Sequence, residues 1–212
     1  MHRFVPTDRP GERIARCVFG LGLFGVGIAL ILHADLGAAP WDVFHTGVSE
    51  LTGIPVGTVI ILTGITLLLL WIPLREQPGL GTVLNAVEIG LVVDLVLPWI
   101  PEPDSLLVRF PMMLGGVVLI GIGSGFYIGA GLGPGPRDGL MTGLARQRVA
   151  GRGVSIRLAR TGIEVVVLTI GVLLGGSIGI GTAVFAFGIG PLVQVFLPRL
   201  TIRSTQLVPA EL

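Results

Sequence analysis

The second half of this chain repeats the first in outline, and a chain of two like halves is confined to folds in which two like units pack on each other. Leu36-Gly37, Pro40, Asp42 and Thr46-Gly47 recur as Leu132-Gly133, Pro136, Asp138 and Thr142-Gly143 at an offset of 96 residues. The offset is 98 for Thr63-Gly64-Ile65 against Thr161-Gly162-Ile163. It reaches 100 for Gly81-Thr82, Ala86, Ile89-Gly90 and Leu97-Pro98 against Gly181-Thr182, Ala186, Ile189-Gly190 and Leu197-Pro198, so two short insertions absorb the drift. Internal symmetry in an apolar chain is a mark of many transporter folds, whose substrate sites lie between the repeats.

The chain is apolar enough for that reading. Of 212 residues, 51% are hydrophobic and 13% charged, against about a quarter charged in an ordinary soluble domain. This points to an integral membrane protein and a single membrane domain over 1–212. The 34 glycines serve close helix packing or irregular turns, and Gly116, Gly121, Gly123, Gly125 and Gly129 in one span favour packing. Cys17 is the only cysteine, which excludes an internal disulfide and a cysteine-based metal cluster. All 14 basic residues are arginines, better explained by membrane topology than by nucleic acid.

Six stretches approach the roughly 20 residues needed to cross about 30 Å of hydrocarbon: 14–33, 55–73, 80–98, 106–128, 155–174 and 178–198. They form two three-span repeats, about 14–98 and 106–198. Arg3, Arg9, Arg13 and Arg16 before the first span resemble the start of a signal peptide, but its counterpart in the second half argues for a retained helix. With the N-terminus cytoplasmic, Arg75, Arg137, Arg146, Arg148, Arg152, Arg157, Arg199 and Arg203 all fall inside. The opposite loops then hold Asp35, Asp42, Glu50, Glu102 and Asp104, with Arg109 the exception. Both termini are therefore expected in the cytoplasm of a bacterial inner membrane. Three spans is an odd number, so the second repeat is inverted relative to the first. The fifth span carries Arg157, Arg160 and Glu164. Nine aliphatic residues in 163–174 contribute roughly −0.3 to −0.6 kcal/mol each and offset the ~2.5–3.5 kcal/mol of a central charge.

After the first span of each repeat comes a segment too short to cross: Pro40-Trp41-Asp42 running on to Leu51, and Pro136-Arg137-Asp138 running on to Val149. Proline at a helix start with aspartate two residues later is an N-terminal signal. Both are expected to be short half-helices, re-entrant or interfacial. Two roles are open for Asp42 and Asp138. They can cap these helices, or the two helix starts can approach one another from opposite sides and offer amides and dipole ends to a substrate, with Pro40, Trp41, Asp42, Pro136, Arg137 and Asp138 forming its site.

The stretch Leu36-Gly37-Ala38-Ala39-Pro40-Trp41-Asp42-Val43, followed by Thr46-Gly47 and the glycine-rich second half, resembles the YczE/YitT-type family of bacterial integral membrane proteins. The resemblance spans about 20–198 and implies a bacterial inner-membrane protein; it supplies no substrate.

Four charges sit inside spans: Glu88 and Asp94 in the third, Arg160 and Glu164 in the fifth. Asp94 lies near a span end and is expected to be solvated. Glu88, Glu164 and Arg160 lie deeper, where ionisable groups mark an ion or proton pathway or a buried pair. Arg160 and Glu164 are spaced to pair on one helix face, which favours Glu88 for proton coupling. His33, Asp35, Asp42 and His45 read as interfacial polar residues rather than metal ligands. No catalytic spacing or phosphate loop occurs, so neither an enzyme nor a cofactor is expected. The expectation is a secondary transporter or permease-like protein for a small solute. The alternative is a non-transporting membrane partner, a regulator or a substrate-binding subunit; homo-oligomers fit either.

Overall fold

The computed structural model describes residues 4, 6–146, 148–149, 152–153 and 155–203. Arg3 and the side chains of Arg148 and Arg152 lie outside the described residues. The helices are α1 (Pro10–Ala34), α2 (Pro40–Thr52), α3 (Val56–Leu74), α4 (Leu80–Val96), α5 (Leu106–Gly129), α6 (Pro136–Arg146), α7 (Ile156–Leu173) and α8 (Ile180–Leu200). A 3-10 turn, Leu97–Trp99, prolongs α4. Between α6 and α7 two short strands, β1 (Arg148–Val149) and β2 (Arg152–Gly153), pair antiparallel, an addition to the all-helical expectation.

Among the described residues, five helices are long and apolar enough to cross a membrane: α1, α3, α4 with its 3-10 turn, α5 and α8. Leu69, Ile72, Leu91, Leu95, Leu107 and Phe187 stand exposed on them, where lipid replaces water as the favourable neighbour. The chain is an α-helical membrane protein. The segment expected as a fifth span forms the helix α7, whose 18 residues rise about 27 Å, but Arg157, Arg160 and Glu164 set it apart from the five apolar helices.

The core is the pairing of α1 with α5. A Cβ on Gly20 would lie 2.7 Å from the Gly123 carbonyl oxygen, and one on Gly116 would lie 2.6 Å from that of Gly27. The helices thus touch backbone to backbone, the approach that small residues permit in lipid. Gly20 and Gly116, like Gly27 and Gly123, stand 96 apart, so each glycine of one half meets the other member's counterpart. Arg13, expected only as a flanking charge, is buried and ties the start of α1 to the end of α5. Its Nη1 donates to the Ala130 carbonyl at 2.7 Å and its Nη2 to Asp8 Oδ2 at 2.6 Å.

The loops recur with partners exchanged. The Gly81 amide donates to the Leu132 carbonyl at 2.8 Å, and the Gly181 amide to the Leu36 carbonyl at 2.7 Å. Gly37 and Gly133 hold φ of 96° and 115°, conformations costly for any residue with a side chain. Each Leu-Gly loop therefore closes on the first turn of the last helix of the other half.

The two halves differ in one seam. α3 packs closely on α4, with the backbones of Gly57 and Gly90 in contact. Asp94, expected to be solvated, instead caps α3 from α4: its Oδ1 accepts from the Gly57 amide at 2.6 Å and its Oδ2 from Thr58 Oγ1 at 2.9 Å. A helix whose own N-cap is Pro55 receives its missing acceptor from the neighbour. In the other half, Ser155 Oγ caps α7 locally by accepting from the Leu158 amide at 3.1 Å. Position 194 is glutamine, Gly190 has no neighbouring atom within 4 Å of its would-be Cβ among the described residues, and α7 and α8 stand apart. We expect Asp94→Ala to cost about 2 kcal/mol of stability and Asp94→Asn, which still accepts from Gly57, clearly less. Thermal unfolding in detergent checks this; equal midpoints for Asp94→Ala and wild type would remove the capping role.

Candidate functional site

Both half-helices begin at the prolines that mark them in the sequence, where a residue without an N–H leaves no amide orphaned. The capping alternative fails for Asp42. The N-cap of α2 is Ala39 with no side-chain cap, and the buried Asp42 carboxylate instead pairs with His45 Nδ1 at 3.2 Å. Asp138 turns to Tyr127, whose hydroxyl donates to Oδ2 at 3.3 Å.

Packing sets the depth of the two helix starts. Trp71 Nε1 donates to the Pro136 carbonyl at 3.0 Å, and the indole fills the space beside Gly139, where a Cβ has no room. Trp71 lies about one turn inside the end of α3, while Gly143 further along α6 packs on Leu74 and Glu76 at that end. α6 therefore starts within the bundle and runs outward. α2 does the same against α7: Trp41 packs with Leu67, Leu140, Ile163 and Val167, while Gly47 meets Gly171 and Gly176 at the far end of α7. The glycine of the repeated Thr-Gly in each half-helix docks on the second long helix of the other half.

The two helix starts meet. The Arg137 guanidinium carbon lies 5.2 Å from the centroid of the Trp41 ring, over its face. A stacked guanidinium gains ~0.5–2 kcal/mol as it is desolvated. Around this contact is a cavity of about 370 Å³, within the range of small-molecule sites. Pro40, Trp41, Arg137 and Asp138 line it from the half-helices, and Arg160 and Glu164 from α7. Asn85, Ser124, Tyr127 and Gln194 add polar groups, while Phe24, Ile89, Ile120, Phe185 and Val193 make the apolar wall. A smaller space of about 20 Å³, room for one water, adjoins it beside His45, Thr63, Asn85, Pro136 and Arg137. Trp41 Nε1 and His45 Nε2 are buried with no hydrogen-bond partner among the described residues.

The geometry sorts the residues singled out in the sequence. Pro40, Trp41, Arg137, Asp138, Arg160 and Glu164 lie on one cavity. Pro136 lines the adjoining space, and Asp42 sits behind Trp41, paired with His45. Glu88 lies half-buried on α4 and is not on the lining. Arg160 Nε donates to Glu164 Oε1 at 3.0 Å, the pair that their spacing suggested. His33 and Asp35 go elsewhere: His33 Nε2 to the Ile100 carbonyl at 3.0 Å, and Asp35 to Arg109 at 3.3 Å. Sequence reading missed Tyr127, Asn85 and Ser124. Each was marked only as a polar residue within an apolar span, a signal shared by the threonines that bond their own helix, such as Thr66.

Residues 11–198 match the model of a family of unknown function, DUF6198. An uncharacterized protein of Haemophilus influenzae is 38% identical over 186 residues, 88% of this chain and 84% of that one. The uncharacterized membrane protein YczE of Bacillus subtilis is 34% identical over 197 residues, covering 89% of this chain and 88% of its own. A second Bacillus subtilis protein, the uncharacterized YyaS, is 30% identical over 186 residues, 85% of this chain and 90% of that one. No solved structure matches the chain.

Proposed function

The chain belongs to the DUF6198 family, and for this member we propose a permease of the bacterial inner membrane that carries a small solute through the cavity between its half-helices. In this reading α7 is a sixth span and the two halves are inverted three-helix repeats. Both termini are cytoplasmic, and α2 and α6 re-enter from opposite faces. The observation that carries it is the stacking of Arg137 on Trp41. Positions 41 and 137 are 96 apart, so the same position of each half-helix meets its counterpart at a cavity. Paired discontinuous helices meeting between inverted repeats are the arrangement in which transporters hold substrate. Non-helical backbone is tolerated at depth where it borders such a cavity, and the exchange of loop partners between halves fits the inversion.

Proton coupling falls to Glu164 rather than Glu88, because a carboxylate on the lining can exchange its proton in step with the solute. The test begins with a ligand-stabilisation screen to find a solute, followed by flux into liposomes as a function of pH. Glu164→Gln is expected to cut the pH dependence of flux at least tenfold, while Glu88→Gln retains it. Should both variants keep the wild-type profile, coupling through these carboxylates is excluded. A stoichiometric partner in the purified material, with no flux by this chain alone, would favour the regulator or subunit reading instead.

A further inference from the structure

The cavity has an opening that its placement in a bilayer turns into a route. α3 and α4 are closed by Gly57 on Gly90 and by the Asp94 cap, but α7 presents Arg160 and Glu164 toward the cavity at the matching seam. Arg160 and Glu164 stand at a seam where α7 and α8 are apart, whereas Gly57 and Gly90 let α3 and α4 close. Arg160, Gly190 and Gln194 line the cavity and are also exposed, so it opens sideways between these two helices. On the six-span reading, which this inference rests on, that opening faces lipid. Polar groups on a lipid-facing rim are expensive unless something polar occupies them.

Two carboxylates line the cavity, Asp138 and Glu164, and each already has a donor. Arg160 is paired with Glu164, and Tyr127 donates to Asp138. Arg137 makes no ion pair among the described residues and lies stacked on Trp41. Trp41 is 6% exposed, and its Nε1–H has no acceptor among the described residues. The start of α2 has no side-chain cap. An unpaired guanidinium and an indole N–H without an acceptor, both among the described residues, thus border one cavity, and each favours an acceptor that carries negative charge. Phe24, Phe185, Ile189 and Val193 continue from there toward the opening and suit a hydrocarbon chain. We propose that the cavity takes an amphipathic anion from the bilayer through the α7–α8 opening, its acidic head on Arg137 and its chain lying between the two helices.

Trp41 is the reporter. The protein is reconstituted in phosphatidylcholine vesicles, and its fluorescence is measured against a long-chain fatty acid brominated in the chain and against a phosphatidylglycerol brominated likewise. The fluorescence component absent from Trp41→Phe isolates this residue, and brominated phosphatidylcholine sets the ordinary lipid background. We expect saturable quenching by at least one anionic probe above that background, at least tenfold weaker in Arg137→Gln. Which probe quenches distinguishes a free fatty acid from a phosphate-headed lipid. Gly190→Phe, at a position with open space around it, is expected to block the opening and weaken quenching at least tenfold while leaving the unfolding midpoint unchanged. Displacement by butyrate as effective as by the long-chain acid would mean a water-soluble anion and overturn the proposal. So would quenching indifferent to Gly190→Phe, quenching no greater than that by phosphatidylcholine, or a chemical cross-link across α7–α8 that joins two chains and shows the opening to be a subunit interface. Because the readout is binding, quenching without flux overturns only the permease reading, and flux of another solute without quenching overturns only this one.

Discussion

Gly90→Ala is expected to destabilise the protein by about 1–3 kcal/mol, whereas Gly190→Ala, its counterpart in the second half, is neutral or slightly stabilising. The same chemical change has opposite outcomes because the surroundings differ. A methyl on Gly90 meets the Gly57 carbonyl, part of a backbone that can move only if α3 and α4 separate and the Asp94 cap stretches. On Gly190 it meets no neighbour within 4 Å among the described residues. Alanine gains up to about 1 kcal/mol over glycine in helix propensity, which is all that remains at position 190 and is outweighed at position 90. Unfolding midpoints of the two variants in the same detergent check this. Equal losses at both positions would mean that α7 and α8 are closed like α3 and α4.

Trp71→Ala should be costlier still, about 3–5 kcal/mol, because it empties a fully buried site and frees the start of α6. Trp71→Phe separates the two contributions. It keeps most of the volume against Gly139 but removes the donor to the Pro136 carbonyl, a loss of about 1 kcal/mol. If Arg137 is placed by this contact, both variants also weaken ligand binding. Trp71→Ala with wild-type stability would refute the packing described for α6.

The parts legible in the sequence are those written locally. Proline at the first position fixes where α2 and α6 begin, and the recurring Leu-Gly turns fix where α1 and α5 give way to them. Arg160 and Glu164 are four residues apart on one helix, so their pairing needs no fold to predict it. Asp94 was misread because the amide it caps lies 37 residues away, and Arg13 because the carbonyl it ties down lies 117 away. Nothing near either residue marks the orphan amide or carbonyl it serves. Glu88 and Glu164 carry the same signal, a carboxylate in an apolar span facing a neutral counterpart. Only helix rotation puts one on the cavity and leaves the other off it. The seam between α7 and α8 was hidden for a related reason: the second half keeps the glycine at 190 but not the aspartate at 94 or the helix face that closed on it.

Two helix starts, 96 residues apart, meet within the bundle. The most direct test is the distance between spin labels at Trp41→Cys and Arg137→Cys, in a Cys17→Ala background and in lipid. Contact between the two half-helices predicts strong dipolar broadening and an inter-label distance below about 20 Å, whereas half-helices lying on opposite membrane surfaces would give roughly 30 Å or more, the thickness of the hydrocarbon, and contradict it.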